Sequence, residues 1–131
     1  MKILCIDDDF FKRNQIGEFL ERKGIQLEEI EFVNPALKYI CTNKESISGI
    51  ILDLGLKSFK DSNDYNIYKG LDVIAELERK KIKIPILINS TTEIDFQKDD
   101  HPYVFGHRKR KNDYKILEEF LAFLKEREEQ Q

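Results

Sequence analysis

The run Ser48-Gly49-Ile50-Ile51-Leu52-Asp53-Leu54-Gly55-Leu56 decides the fold. Three consecutive aliphatic residues, two of them β-branched, read as a strand covered on both faces, and Gly55 marks where it stops. Asp53 then sits at the carboxyl edge of that strand. In an open parallel sheet this edge is a crevice where loops diverge and ligands bind. An Asp there is also an ordinary turn former, so its meaning depends on what the other strands bring to the same edge.

Working outward, Lys2-Ile3-Leu4-Cys5-Ile6 predicts a strand that stops against Asp7-Asp8-Asp9. A helical pattern follows, with Ile16, Phe19 and Leu20 on one face and Gly24 as its stop. Leu27 to Val33 alternates apolar and acidic residues, as a half-covered strand near a sheet edge does. Asn34 and Pro35 suit the cap and first position of a second helix carrying Ala36, Leu37, Tyr39 and Ile40. Residues 54–69 are polar and without sustained periodicity, long for a connection that usually takes about 2–6 residues, which predicts a functional or mobile loop.

Gly70-Leu71-Asp72-Val73-Ile74 opens the next helix, and Lys83 to Asn89 is a buried strand that delivers Ser90 to its far end. Residues 93–102 are polar and only weakly helical. Tyr103-Val104-Phe105 predicts a last short strand, His107 to Lys111 a solvated basic loop, and Asn112 the cap of a final helix with Ile116, Leu117, Phe120, Leu121 and Leu124 in register. Strand and helix alternate five times. The expected architecture is α/β, a doubly wound five-stranded parallel sheet in a three-layer sandwich, as a single domain over 1–131.

Composition narrows the function classes. With 22 basic and 25 acidic residues the net charge is −3, which gives no general attraction to nucleic acid or anionic lipid. The two cysteines, Cys5 and Cys41, lack the spacing of a metal knuckle or redox motif. No apolar run approaches the roughly 20 residues of a membrane span and no leader pattern is present, so a cytoplasmic protein is expected.

Asp7 and Asp8 after the first strand and Asp53 after the third would place three carboxylates around one pocket, where repulsion calls for a cation. Few oxygen ligands with room for water suit Mg²⁺. A carboxylate beside such an ion is a nucleophile toward phosphorus once nearby cations neutralise the transferring group, and the Ser90 hydroxyl could bond one of its oxygens.

On these residues the chain resembles the receiver domain of two-component response regulators (CheY-like), in an atypical or degenerate form, from Ile3 to Leu124. Ile-Asp7-Asp8-Asp9 is similar to the acidic cluster after strand one and Ile-Leu-Asp53-Leu to the phosphoacceptor strand. Gly70-Leu-Asp-Val-Ile resembles the start of the third helix, and Ile-Pro85-Ile-Leu-Ile-Asn-Ser90 the fourth strand ending in the switch hydroxyl. The resemblance implies a flavodoxin-like fold and no enzyme activity beyond self-phosphorylation. Asp53 would be the phosphoacceptor, and Asp7, Asp8, Asp53 and the Gly55 carbonyl would hold Mg²⁺. Ser90 and Tyr103 would be the switch residues. It implies a histidine kinase or phosphotransfer protein as donor and a downstream protein partner, without nucleic acid or membrane; a homodimer is left open.

Three departures accompany the resemblance. The loop 54–69 is long, and the helix between strands four and five is expected to be shortened or absent. The family's Lys-Pro is missing: counted from Tyr103 its Lys falls on Gly106, and counted back from Asn112 it falls on Lys109, the candidate phosphate-binding cation. The expected function is a stand-alone receiver signalling by protein contact; the alternative is a phosphorylation-independent pseudo-receiver acting as an interaction scaffold.

Overall fold

Alternate residues of the strands serve two different helical layers. The computed structural model describes residues 1–95 and 97–130. It contains β1 (Lys2–Ile6), α1 (Phe10–Arg22), β2 (Gln26–Ile30), α2 (Val33–Asn43), β3 (Gly49–Leu52), α3 (Leu71–Arg79), β4 (Ile86–Asn89), β5 (Val104–Arg108) and α4 (Tyr114–Glu129). The strands form one parallel sheet in the order β2-β1-β3-β4-β5. Ile3, Cys5, Ile51 and Leu87 face α1 and α4, where Ile16, Leu20, Phe120 and Leu124 complete one core. Leu4, Ile6, Ile50, Leu52, Ile86 and Ile88 face α2 and α3 in the other. Both faces are thus dry, which is why the central strands read as unbroken apolar runs. The expected doubly wound sheet is the observed one.

Local boundaries differ where distant backbone intervenes. The chain enters α2 at Val33, so the second strand is shorter than its alternation suggested, and Asn34 lies inside the helix rather than capping it. The first N–H groups of a helix lack intrahelical partners. Those of Val33 and Asn34 donate to the carbonyls of Lys57 and Ser58, at 3.0 and 2.9 Å, so the long loop supplies the cap.

That loop has its own structure. Leu56 and Asn66 form an antiparallel bridge, and the Asp64 carboxylate accepts from the Ser58 N–H and from the hydroxyls of Ser58 and Ser62. These bonds, led by the Ser58 hydroxyl, hold the Asp64 pKa below the usual carboxylate range.

Two further corrections concern the last third of the chain. The expected strand at 103–105 runs instead from Val104 to Arg108, because His107 and Arg108 pair with Ile88 and Asn89 after a bulge opposite Ile86 and Leu87. The cap of α4 is Asp113, whose carboxylate accepts from the Ile116 N–H at 3.3 Å, and not Asn112. Between β4 and β5 the described residues contain only a 3₁₀ turn, Lys98–Asp100, matching the shortened helix expected there. No helix among the described residues is long and apolar enough to cross a membrane.

Candidate functional site

Strand register brings the acids together. Ile6 pairs with Leu52 and Leu52 with Ile88, so the residues that follow, Asp7, Asp53 and Asn89, leave neighbouring strands side by side at the carboxyl edge. A crevice of about 330 Å³ opens there, lined among others by Asp8, Lys12, Asp53, Gly55, Tyr65 and Ser90. A larger groove, about 760 Å³, lies at the amino-terminal end of the strands, around Lys2, Ser48 and Ile84, away from these acids.

Carboxylate oxygens of Asp7, Asp8 and Asp53 all lie within 4.8 Å of one another. Asp7 is 1% exposed and Asp53 7% exposed, whereas Asp8 faces solvent. Burial, then the neighbouring Asp53 charge, pushes the Asp7 carboxyl up to about 7, with Lys12 pulling it back. Asp8 is raised by the same two causes in the same order. Like charges at about 4 Å repel by roughly 4 kcal/mol at an effective dielectric of 20, a large fraction of the 5–15 kcal/mol that holds a domain folded. The cluster therefore demands positive charge.

Part of that charge comes from a residue that the sequence reading missed. Lys12, on the first turn of α1, places its ammonium 3.2 Å from Asp53 Oδ1, 3.3 Å from Asp7 Oδ2 and 3.2 Å from the Asn89 carbonyl. Burial opposes the ammonium charge, but Asp53 and Asp7 outweigh it and leave the Lys12 pKa above the ordinary lysine value. A signal for it exists in the sequence: Lys12 is one helical turn before Ile16 and two before Leu20, on the face that packs inward. Asp9, by contrast, caps α1, accepting from the N–H groups of Phe11 and Lys12 at 2.9 and 3.3 Å.

The other sequence candidates are divided. Ser90 is buried beside Asn89, its hydroxyl oxygen accepting from the Thr92 N–H at 3.2 Å. Gly55 lines the crevice beneath the Tyr65 hydroxyl, which occupies the space a Cβ at position 55 would need. Gly70 is held by packing: a Cβ there would lie 2.2 Å from the Asp53 carbonyl oxygen. Tyr103 precedes β5 and its carbonyl accepts from the Ile86 N–H at 2.8 Å, at the start of β4. It therefore stands at the opposite end of the strand from Ser90, and the structure does not bring the two together.

Lys109 sits on the rim, 3.3 Å from Glu93, while Lys12 is the ammonium on Asp53 among the described residues. Arg108 is buried and committed elsewhere, donating to Asn89 Oδ1 at 2.9 Å and to the carbonyls of Asp113 and Lys111. The count forward from Tyr103 to Gly106 crosses the bulge at Phe105, where one extra residue shifts every later position, whereas the count back from Asn112 to Lys109 stays beyond it.

The donor set fits a hard divalent cation. Three carboxylates from two neighbouring loops offer oxygens at a spacing that an ion with Mg–O distances of about 2.1 Å spans directly or through one water.

A five-stranded parallel α/β sandwich with an acidic carboxyl-edge crevice defines the class, and comparison with solved structures gives it a closer description. The receiver domain of the Francisella response regulator 1452 superposes with a TM-score of 0.76 at 20% identity, covering 96% of this chain and 97% of that one. The response regulator TrrA of Thermotoga maritima in complex with Mg²⁺-BeF gives 0.72 at 21% identity over 94% and 97%. TrrA in complex with the histidine kinase ThkA gives 0.70 at 20% over 94% and 97%. The chain has the fold of response-regulator receiver domains. No protein-family model and no curated protein matches its sequence.

Proposed function

We propose that this chain is a receiver of a two-component phosphorelay, taking a phosphoryl group on Asp53 with Mg²⁺ bound and signalling through protein contact. The observation that carries this reading is the convergence of Asp7, Asp8 and Asp53 within 4.8 Å at the carboxyl edge, next to Ser90. Asp7, Asp8 and Asp53, with the Gly55 carbonyl, would hold the ion, which supplies charge neutralisation at phosphorus. An Asp53 oxygen attacks phosphorus; the O–P bond forms as the P–N bond of a phosphohistidine breaks, and the imidazole leaves with the electron pair. With acetyl phosphate as donor, a P–O bond breaks and acetate leaves. The Ser90 hydroxyl, which lines the same crevice, would donate to an oxygen of the transferred group. The kinase complex formed by TrrA supports a histidine kinase as the donor.

The test is intact-mass measurement after incubation with acetyl phosphate or phosphoramidate. Wild type gains one phosphoryl group in Mg²⁺, and the gain disappears with chelator and in Asp53→Asn. A wild-type chain that gains no mass from either donor and binds no Mg²⁺ overturns the reading. The scaffold alternative then takes its place, favoured by the exposed Phe59, Tyr65, Ile67 and Tyr68 on the long loop.

A further inference from the structure

We propose that Lys12 of α1, rather than a residue of the basic run 107–111, is the cation that binds the transferred phosphoryl group. The inference rests on the phosphoacceptor reading of Asp53. Replacing a carboxylate by its acyl phosphate adds negative charge at the spot where Asp7 and Asp8 already stand. A positive group within hydrogen-bond reach is required. Lys12 is there, its side chain only 19% exposed and its ammonium bonded to the Asp53 oxygen.

Among the other basic residues that line the crevice, Arg108 and Lys109 are committed elsewhere, and no hydrogen bond or ion pair among the described residues joins Arg110 or Lys111 to Asp53. The Arg108 guanidinium is turned onto Asn89 and the carbonyls that follow β5, and Lys109 reaches outward to Glu93. The flexible four-carbon stem of Lys12 allows its ammonium to follow an oxygen that moves outward by a bond or two when Asp53 is phosphorylated. Its contact with the Asn89 carbonyl anchors it to the end of β4. At the same wall the Asn89 side-chain nitrogen is buried with no hydrogen-bond partner among the described residues, so this corner holds a second donor not yet used.

A competing account has Lys12 merely standing in for the metal, neutralising the acids until an ion displaces it. The two accounts differ in sign. If Lys12 binds the phosphoryl group, removing its charge strengthens Mg²⁺ binding, because a competitor is gone, but weakens binding of the phosphoryl mimic beryllofluoride. If it is only a stand-in, Mg²⁺ binding becomes tighter and beryllofluoride binding at saturating Mg²⁺ does not weaken.

The experiment is calorimetric titration of Mg²⁺, and fluorine NMR titration of beryllofluoride at saturating Mg²⁺, on the wild type, Lys12→Met, Lys12→Gln and Lys12→Arg. Circular dichroism melts in Mg²⁺ select the neutral variant that folds. The expected result is tighter Mg²⁺ binding in that variant, with beryllofluoride affinity reduced at least about tenfold, the loss of one charge-assisted hydrogen bond. Lys12→Arg retains most of the affinity.

Beryllofluoride affinity equal to or above wild type in the neutral variant overturns the proposal. So does a loss in Lys109→Met that Lys12→Met does not share. A wild type that takes up no beryllofluoride sinks the Asp53 reading itself, and Lys12 with it, an outcome distinct from a wild type that binds and a Lys12 variant that binds equally.

Discussion

Asp7 is one residue whose chemistry is set almost wholly by its position. Its carboxyl titrates near 7 in the folded chain, against an ordinary value of 3.8, because it is buried and Asp53 stands beside it. Between those values the folded chain holds a proton that the unfolded chain has released. The unfolding free energy contributed by this group therefore falls as pH rises from about 4 to about 7, by at most about 1.4 kcal/mol per pH unit. Urea midpoints of metal-free wild type and Asp7→Asn across this window check the sign: the wild type should lose stability relative to the variant as pH rises, and a widening wild-type advantage refutes it. Gly70 is constrained by contact rather than charge. Gly70→Ala forces a methyl group against the Asp53 carbonyl, and overpacking of this kind costs about 1–3 kcal/mol. Chemical denaturation should report that loss together with weaker Mg²⁺ binding, since Asp53 must shift; unchanged affinity would show that the strand end absorbs the methyl elsewhere.

At the scale of elements, the long loop and α2 depend on each other. Sequence periodicity located the helix but assigned its cap to Asn34, because local reading sees only neighbours; the acceptors are the Lys57 and Ser58 carbonyls, distant in the chain. Asp64 ties that loop together, so Asp64→Ala should free it. Hydrogen exchange is then expected to accelerate at the Val33 and Asn34 amides while β1 and β3 keep their protection. Exchange at Val33 and Asn34 that does not change would mean that the loop holds its shape without Asp64. The β5 segment teaches the same lesson. A run of five basic and polar residues looks like a solvated loop, yet the sheet recruits His107 and Arg108 by pairing them with β4, and His107 also donates to the Ser90 carbonyl at 2.7 Å.

For the whole molecule, β1, β3 and β4 contribute residues to both cores, so the double layer is expected to melt as one unit. Ile51, 1% exposed in the core facing α1 and α4, should cost about 2–5 kcal/mol as Ile51→Ala, in one transition whose steepness is unchanged. A second transition would instead mark two independently melting layers. The sequence by itself determined the five strands, the parallel α/β class and the meeting of Asp7, Asp8, Asp53 and Ser90 at one edge. These follow from periodicity and from the rule that parallel strands end together, both legible in short windows. Only the tertiary structure decided which ammonium meets Asp53, what caps α2 and that Tyr103 stands at the far end of β5. Each of these turns on a bulge, a docked loop or a side chain reaching across from another element; periodicity puts Lys12 on the inward face of α1 but carries no trace of the group it meets there.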